Sequence, residues 1–217
     1  MITAVLFDLD GTLVHSSPGV LASFRKTFDA EGIVPVATVD ESVIGPPLLA
    51  TLTRLTGIHD ADRLQQLART FKATYDTEGV LHADPYAGMT DVLKRLSDVR
   101  CRSFIVTNKR LAPARMIAER LGMTPYLAGV YALDSFTPPA PRKRNVVANI
   151  LAEHGIAATA ALMVGDSEDD ADAAAANSVR FVAATYGYGA PLSFADSVPA
   201  ATLDRLSDLP NIVVSLD

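Results

Sequence analysis

Short apolar runs alternating with amphipathic segments constrain this chain more than any other feature. ITAVLF (2–7), SFIVT (103–107), GVYAL (129–133), ALMVG (161–165), RFVAA (180–184) and NIVVSL (211–216) are brief, rich in β-branched residues and apolar on both faces. That is the pattern of strands buried inside a parallel sheet. Between them apolar residues recur at helical spacing in MTDVLKRLSDV (89–99), PARMIAERLG (113–122) and RNVVANILAEHG (144–155), the last two closing on Gly122 and Gly155. Alternation of this kind predicts an α/β fold, a parallel sheet flanked by helices.

One interval breaks the rhythm. From His15 to Asp84 the sequence offers three helix-like segments and no clear strand: PGVLASFRKTFDAEG (18–32), PPLLATLTRLTG (46–57) and DADRLQQLARTFKATYDTEG (60–79). Turn-rich SSPG (16–19) and HADPYAG (82–88) flank them, as linkers to an inserted module do. The expected division is therefore a core of residues 1–14 and 85–217 and an all-helical insertion of residues 15–84.

Composition narrows the classes of function. A chain of 217 residues that is 49% hydrophobic and 20% charged can bury a substantial core. Its net charge of −6 argues against nucleic acid and against anionic membranes as partners. The single cysteine, Cys101, excludes an internal disulfide and stands at the start of an apolar run, where packing is the expected role. There is no basic leader before the first apolar run and no apolar stretch approaching ~20 residues. A soluble, cytoplasmic protein, monomer or homodimer, is expected.

The chemistry is concentrated where strands should end. In VLFDLDGTLV (5–14) the first strand runs into Asp8 and Asp10. Side chains two apart on an extended segment point the same way, so both carboxylates can face one small volume. Like charges held together need a raised pKa or a bound cation, and a hard divalent ion such as Mg2+ suits oxygen ligands. A second acidic group follows the strand at 161–165: Asp166, then Glu168, Asp169, Asp170 and Asp172 opening an alanine-rich helix. Capping accounts for some of these acids. Asp166 is the best placed for a metal, with Asp170 in support, and Asn177 near the helix end suits a left-handed position. The strand at 103–107 ends instead in Thr107 and Asn108, uncharged groups able to donate to an anion. A cationic run, Arg142-Lys143-Arg144, precedes the helix at 144–155.

Taken in order, these parts resemble the haloacid dehalogenase-like hydrolase superfamily. FDLDGT is similar to its first motif, VTN (106–108) to its second, a lysine before a helix to its third, and GDSEDD (165–170) to its fourth. IGPPL (44–48) and YGYG (186–189) look most like the phosphoglycolate phosphatase-like branch. The resemblance implies a Rossmann-like core with an inserted helical cap, and a Mg2+-dependent phosphatase acting on a small phosphorylated metabolite. It implies Asp8 as a nucleophile forming an aspartyl-phosphate and Asp10 as the acid and base. Thr107 would bind phosphoryl oxygens. A metal would be held by the Asp8 and Asp166 carboxylates and the Asp10 main-chain carbonyl, with Asp170 behind. For the cation, Lys143 stands 23 residues before Asp166 and directly before the helix, with Arg142 and Arg144 as alternatives. The chain departs from the usual pattern twice: PPAPRKRN has no Lys-Pro, and His15-Ser16 stands where related phosphatases commonly carry Asp-Ser.

Three rivals share part of this signature. Haloacid dehalogenation needs neither metal nor an acid two residues after the nucleophile, so Asp10 argues against it. A phosphomutase of the β-phosphoglucomutase type shares every core motif. A receiver-like signalling module also combines acids, Thr, Lys and Mg2+, but is smaller and has no helical insertion.

Overall fold

The structure, a computed structural model, describes residues 1–189 and 198–216. It divides into two compact units, residues 1–15 with 85–217, and residues 16–84.

The first unit is a six-stranded parallel sheet. Its strands are Ala4–Phe7 (β1), Arg102–Thr107 (β4), Leu127–Ala132 (β5), Ala161–Gly165 (β6), Arg180–Ala184 (β7) and Ala201–Leu203 (β8), in the order β5-β4-β1-β6-β7-β8. Two-residue strands at Val14–His15 (β2) and Asp84–Pro85 (β3) mark where the chain leaves and re-enters this unit. There the Tyr86 N–H donates to the Leu13 carbonyl at 3.0 Å. Register sets Phe7 of β1 beside Ile105 on one side and Val164 on the other.

Both faces of the central strands are apolar. On one face Ala4, Leu6, Phe104, Val106, Met163 and Phe181 form a single core with Val146, Val147 and Ile150 of Lys143–Glu153 (α6) and with alanines of Glu168–Ala176 (α7). Alanine is the residue that lets α7 lie close, and Ala171, Ala173 and Ala174 are all buried there. The intervening residues Val5, Phe7, Ile105, Leu162 and Val164 are buried too and point to the opposite face. Met89–Asp98 (α4) packs against β4 and buries Met89, Val92, Leu93 and Leu96, while Leu111–Arg120 (α5) packs beside β5.

Two expectations for this unit are overturned. NIVVSL, expected as a strand, lies in the helix Leu209–Ser215 (α8). Pro210 opens that helix with its fixed φ, and only Leu209 and Val213, four apart, are buried while Val214 faces solvent. The outermost strand is β8 instead, three residues long and buried at only one of them. Similarly, the left-handed residue after α7 is Ser178 at φ 55°, not Asn177 at φ −110°. Asn177 uses its amide to donate to the carbonyls of Arg144 and Ala173, at 2.9 and 2.8 Å.

The second unit is helical: Ser17–Glu31 (α1), Leu48–Thr56 (α2) and Ala61–Thr77 (α3). Phe24, Phe71 and Tyr75 stack in its core, with Phe24 and Phe71 centroids 4.4 Å apart. Glu31 at the end of α1 accepts from Arg63, Gln66 and Thr70 of α3 and so fixes the pairing of the two helices. No helix among the described residues is long and apolar enough to cross a membrane.

Candidate active site

Strand order determines where ligands can bind. From β1 the sheet grows through β4 to β5, and the chain then returns to lay β6 on the other flank of β1. Connections leaving β1 on its two sides therefore diverge, which opens a crevice beyond the carboxyl ends of the strands. Asp8 stands one residue past β1, Thr107 is the last residue of β4, and Asp166 is the first past β6. Parallel pairing extends through Asp8, whose N–H donates to the Val164 carbonyl at 2.9 Å.

Carboxylate oxygens of Asp8, Asp166 and Asp170 lie within 4.8 Å of one another, and all three residues are buried. Lys143, the first residue of α6, reaches between two of them. Its Nζ is 2.8 Å from Asp8 Oδ1 and 2.6 Å from Asp170 Oδ1. The neighbouring arginines go elsewhere: Arg142 is exposed at the helix cap, and Arg144 pairs with Asp172 at 3.3 Å.

Local backbone chemistry aims each acid. Asp170 is held in a capping box at the start of α7. Its Oδ2 accepts from the Ser167 N–H at 3.1 Å and from the Ser167 hydroxyl at 2.6 Å. Its Oδ1 is left for Lys143, so capping and the site use one side chain. Asp166 is gripped by the turn after β7: its Oδ2 accepts the N–H groups of Tyr188 at 2.6 Å and Gly189 at 3.2 Å. The approach demands glycines. A Cβ on Gly187 would lie 2.3 Å from the Cβ of Asp166, and one on Gly165 would lie 2.3 Å from Cγ of Asp170.

Burial dominates the electrostatics. It pushes the Asp8 carboxyl well above the ordinary range; Asp170 and Asp166 push the same way and Lys143 opposes them. Burial, then the charge of Asp170, pushes Asp166 up to about 6, against the two amide hydrogen bonds that favour its anion. For Lys143 burial works against the charge, but Asp170 and Asp8 outweigh it, so its pKa is raised and the ammonium is kept. Tyr186 is held neutral by burial, with Tyr86 and Asp166 adding to the effect, and its hydroxyl donates to the Thr12 carbonyl at 2.9 Å.

The remaining candidates have separate partners. The Asp10 carboxylate is not in the acidic trio; its Oδ2 is 3.0 Å from Nζ of Lys109. Thr107 Oγ1 accepts the Lys109 N–H at 3.1 Å, and as a hydroxyl it keeps a hydrogen of its own to donate. Asn108 donates its amide to Asp169 Oδ2 at 2.8 Å. Sequence reasoning passed over Lys109, although it directly follows Asn108, and over the Tyr188 and Gly189 amides, which side-chain chemistry cannot reveal.

The donor set fits a hard divalent cation. Three buried carboxylates face one volume with a single ammonium among them, and oxygen ligands of this charge are what Mg2+ takes. A divalent ion there would offset the burial, and with it the mutual repulsion, that raises Asp8 and Asp166. Asp8, Asp166 and Asp170 are the residues that would hold it.

The model of the haloacid dehalogenase-like hydrolase family matches residues 5–184. A phosphoglycolate phosphatase of Rhodospirillum rubrum is 34% identical over 198 residues, which is 85% of this chain and 80% of that protein. The tyrosine-protein kinase PtkA of Mycobacterium tuberculosis is 30% identical over 211 residues, covering 94% of this chain and 71% of its own. Among solved structures, a haloacid dehalogenase-like family hydrolase from Streptococcus pneumoniae superimposes with a TM-score of 0.87 at 27% identity, with 98% of each chain covered. The matched span takes in all four sequence motifs, from the strand before Asp8 to the end of β7, and the chain belongs to the haloacid dehalogenase-like hydrolase family.

Proposed function

We propose that this protein is a Mg2+-dependent phosphatase that hydrolyses a small phosphomonoester through an aspartyl-phosphate on Asp8. The observation that carries the reading is Lys143 bridging Asp8 and Asp170, with Asp166 completing the trio. A carboxylate attacking a phosphate dianion meets strong repulsion, and a buried lysine ammonium beside it is the group that reduces it.

The steps follow from the residues. An oxygen of Asp8 forms a bond to phosphorus as the ester P–O bond breaks. Asp10 gives its proton to the departing oxygen, so the product leaves as an alcohol rather than an alkoxide. Water then attacks the phosphorus of the acyl phosphate, Asp10 takes its proton, and phosphate departs with Asp8 restored. Thr107 donates to a phosphoryl oxygen, while Lys143 stays on Asp8 and offsets charge throughout. Mg2+, when bound by the acidic trio, supplies positive charge that lowers the repulsion between nucleophile and phosphoryl group. General acid–base help is worth ~10²–10⁴, a small part of accelerations that reach ~10²¹ for phosphate monoesters. Charge compensation and positioning around Asp8 therefore supply most of the rate.

The phosphoglycolate phosphatases among its relatives favour a phosphoglycolate-like substrate, with sugar phosphates and nucleotides next. We assign catalysis to residues 1–14 and 85–217 and substrate selection to the helical cap of residues 15–84. The test is a screen of phosphorylated metabolites in Mg2+, scored by released phosphate and ranked by kcat/KM. Activity that Asp8→Asn abolishes and chelation removes supports the reading; full turnover by Asp8→Asn rejects it.

A further inference from the structure

We propose that Lys109 is a positioning residue that holds the Asp10 carboxylate in place for proton transfer. The proposal rests on the assignment of Asp10 as the acid and base. Lys109 Nζ lies 3.0 Å from Asp10 Oδ2, and the two side chains are 9% and 11% exposed. Fixing a lysine side chain costs rotamer freedom, and loop lysines ordinarily keep their ammonium in water. This one is drawn inward by a prepared loop.

Both ends of that loop are anchored. Ahead of the side chain, the Lys109 N–H donates to Thr107 Oγ1 at 3.1 Å, which turns the backbone directly after β4. Behind it, the Leu111 N–H at the start of α5 donates to Asp134 Oδ1 at 2.9 Å. The two acids of the first motif thus have a lysine each, from different loops. Lys143, entering α6, takes Asp8, and Lys109, leaving β4, takes Asp10.

The division suits the two tasks. A nucleophile needs a cation that relieves repulsion on the attacking oxygen. An acid that must also act as base needs its torsion fixed, so that one oxygen faces the ester oxygen and later the water. The Lys109 ammonium donating to Oδ2, whether Asp10 is protonated on Oδ1 or ionised, fixes the torsion that decides where Oδ1 points, and displacement of a reacting group by about 1 Å can cost ~10²-fold.

Proton donation matters in proportion to how poor the leaving group is, which gives a readout that a general structural role would not move. The kcat/KM of Lys109→Met is compared on an alkyl phosphate and on p-nitrophenyl phosphate, whose leaving group departs without a proton. Asp10→Asn and the double variant are measured alongside, with thermal denaturation of each. The expected result is a loss of about 10-fold or more on the alkyl ester and about threefold or less on the aryl ester, in the same direction as Asp10→Asn. Adding Lys109→Met to Asp10→Asn should cost nothing further, because the lysine acts through the aspartate. If Lys109→Met does not fold, Lys109→Gln, which keeps much of the stem and a donor, is read by the same ratio. Equal losses on both esters, or losses that multiply in the double variant, overturn the proposal and leave the role of Asp10 standing. A leaving-group-independent Asp10→Asn overturns both.

Discussion

The ammonium of Lys143 lies 2.8 Å from the carboxylate of Asp8, across 135 residues of sequence. That contact joins the first motif of the chain to the third, and Asp170 at 2.6 Å joins both to the fourth. Lys143→Met should lower kcat/KM by about 10²-fold or more, by analogy with the loss of one charge-stabilising donor elsewhere. Breaking a buried ion pair from one side costs about 3–5 kcal/mol, and the urea midpoint should fall accordingly at neutral pH. At acid pH Asp8, whose pKa is already raised, takes up a proton and the stability cost should shrink. Lys143→Arg should not restore activity, because a planar fork does not replace a compact ammonium in a closed slot. Arg144→Gln, on a half-exposed pair with Asp172, should leave kcat/KM within about twofold and cost at most ~1 kcal/mol. Equal effects at 143 and 144 would contradict the assignment.

The acidic trio also dictates how metal-free protein responds to pH. Asp166 is pushed up to about 6 by burial and by Asp170, against about 4 for an unfolded aspartate. Between those values the native state holds more protons than the unfolded chain, so the free energy of unfolding falls as pH rises through the window. Asp8 is shifted in the same direction and adds to the fall. Mg2+ competes with those protons, so the rise in Tm that it produces should be larger at about pH 7 than at about pH 5. Thermal melts with chelator and with Mg2+ measure both effects. Asp166→Asn should flatten the pH dependence of the metal-free melt and weaken the Mg2+ response. A variant that melts with the same pH slope as the native sequence would show that the trio is not its source.

Two glycines carry a prediction that no catalytic side chain does. A methyl on Gly187 would meet Asp166 Cβ at 2.3 Å and the Gly11 carbonyl at 2.5 Å. Both neighbours are stiff, so the turn itself must move, and with it the Tyr188 and Gly189 amides that hold Asp166. Gly187→Ala should therefore reduce Mg2+ affinity and lower kcat/KM by up to ~10²-fold. Gly165→Ala pushes on Asp170 and its capping box, and should lower both activity and Tm. Calorimetric Mg2+ titration separates them from simple unfolding: unchanged affinity in Gly187→Ala would mean that the turn does not set the metal ligand.

Much of this was legible in the sequence, because strand ends in a parallel sheet are marked by where apolar runs stop. VLF stopping at Asp8, IVT at Thr107 and MVG at Asp166 mark the ends of three strands that the sheet places side by side. What escaped lay outside that rule. NIVVSL reads equally well as a buried strand or as one face of a helix, and Pro210, directly before it, decided for the helix. β8 is three residues long with one buried position, too little to register as an apolar run. Spacing points to Lys143 within a cationic run, but only folding shows that Arg142 is exposed and Arg144 pairs with Asp172 while Lys143 turns inward to Asp8. The grip of Tyr188 and Gly189 on Asp166 is made by backbone amides, and any residue type but proline supplies those.

Thr107 offers the most direct test of phosphate recognition. Its side chain is buried, 2% exposed, and accepts the Lys109 N–H at 3.1 Å. Accepting one bond leaves the hydroxyl a hydrogen to donate, and a buried hydroxyl at the end of β4, the strand paired with β1, is a natural donor to a phosphoryl oxygen. Valine has the same shape without that donor. Thr107→Val should therefore weaken competitive inhibition by inorganic phosphate and lower kcat/KM, each by about 10-fold, as expected when a hydrogen bond to a charged oxygen worth ~1.5–3 kcal/mol is lost. It also strands the Lys109 N–H, so Tm should drop modestly, by the equivalent of ~1 kcal/mol. Thr107→Ser, which restores the hydroxyl but not the methyl, should recover phosphate inhibition while keeping some of the loss in Tm. The two readouts separate the roles. If valine lowers Tm but phosphate inhibits it as strongly as the native protein, Thr107 is a turn residue and the phosphoryl oxygens are held by other groups.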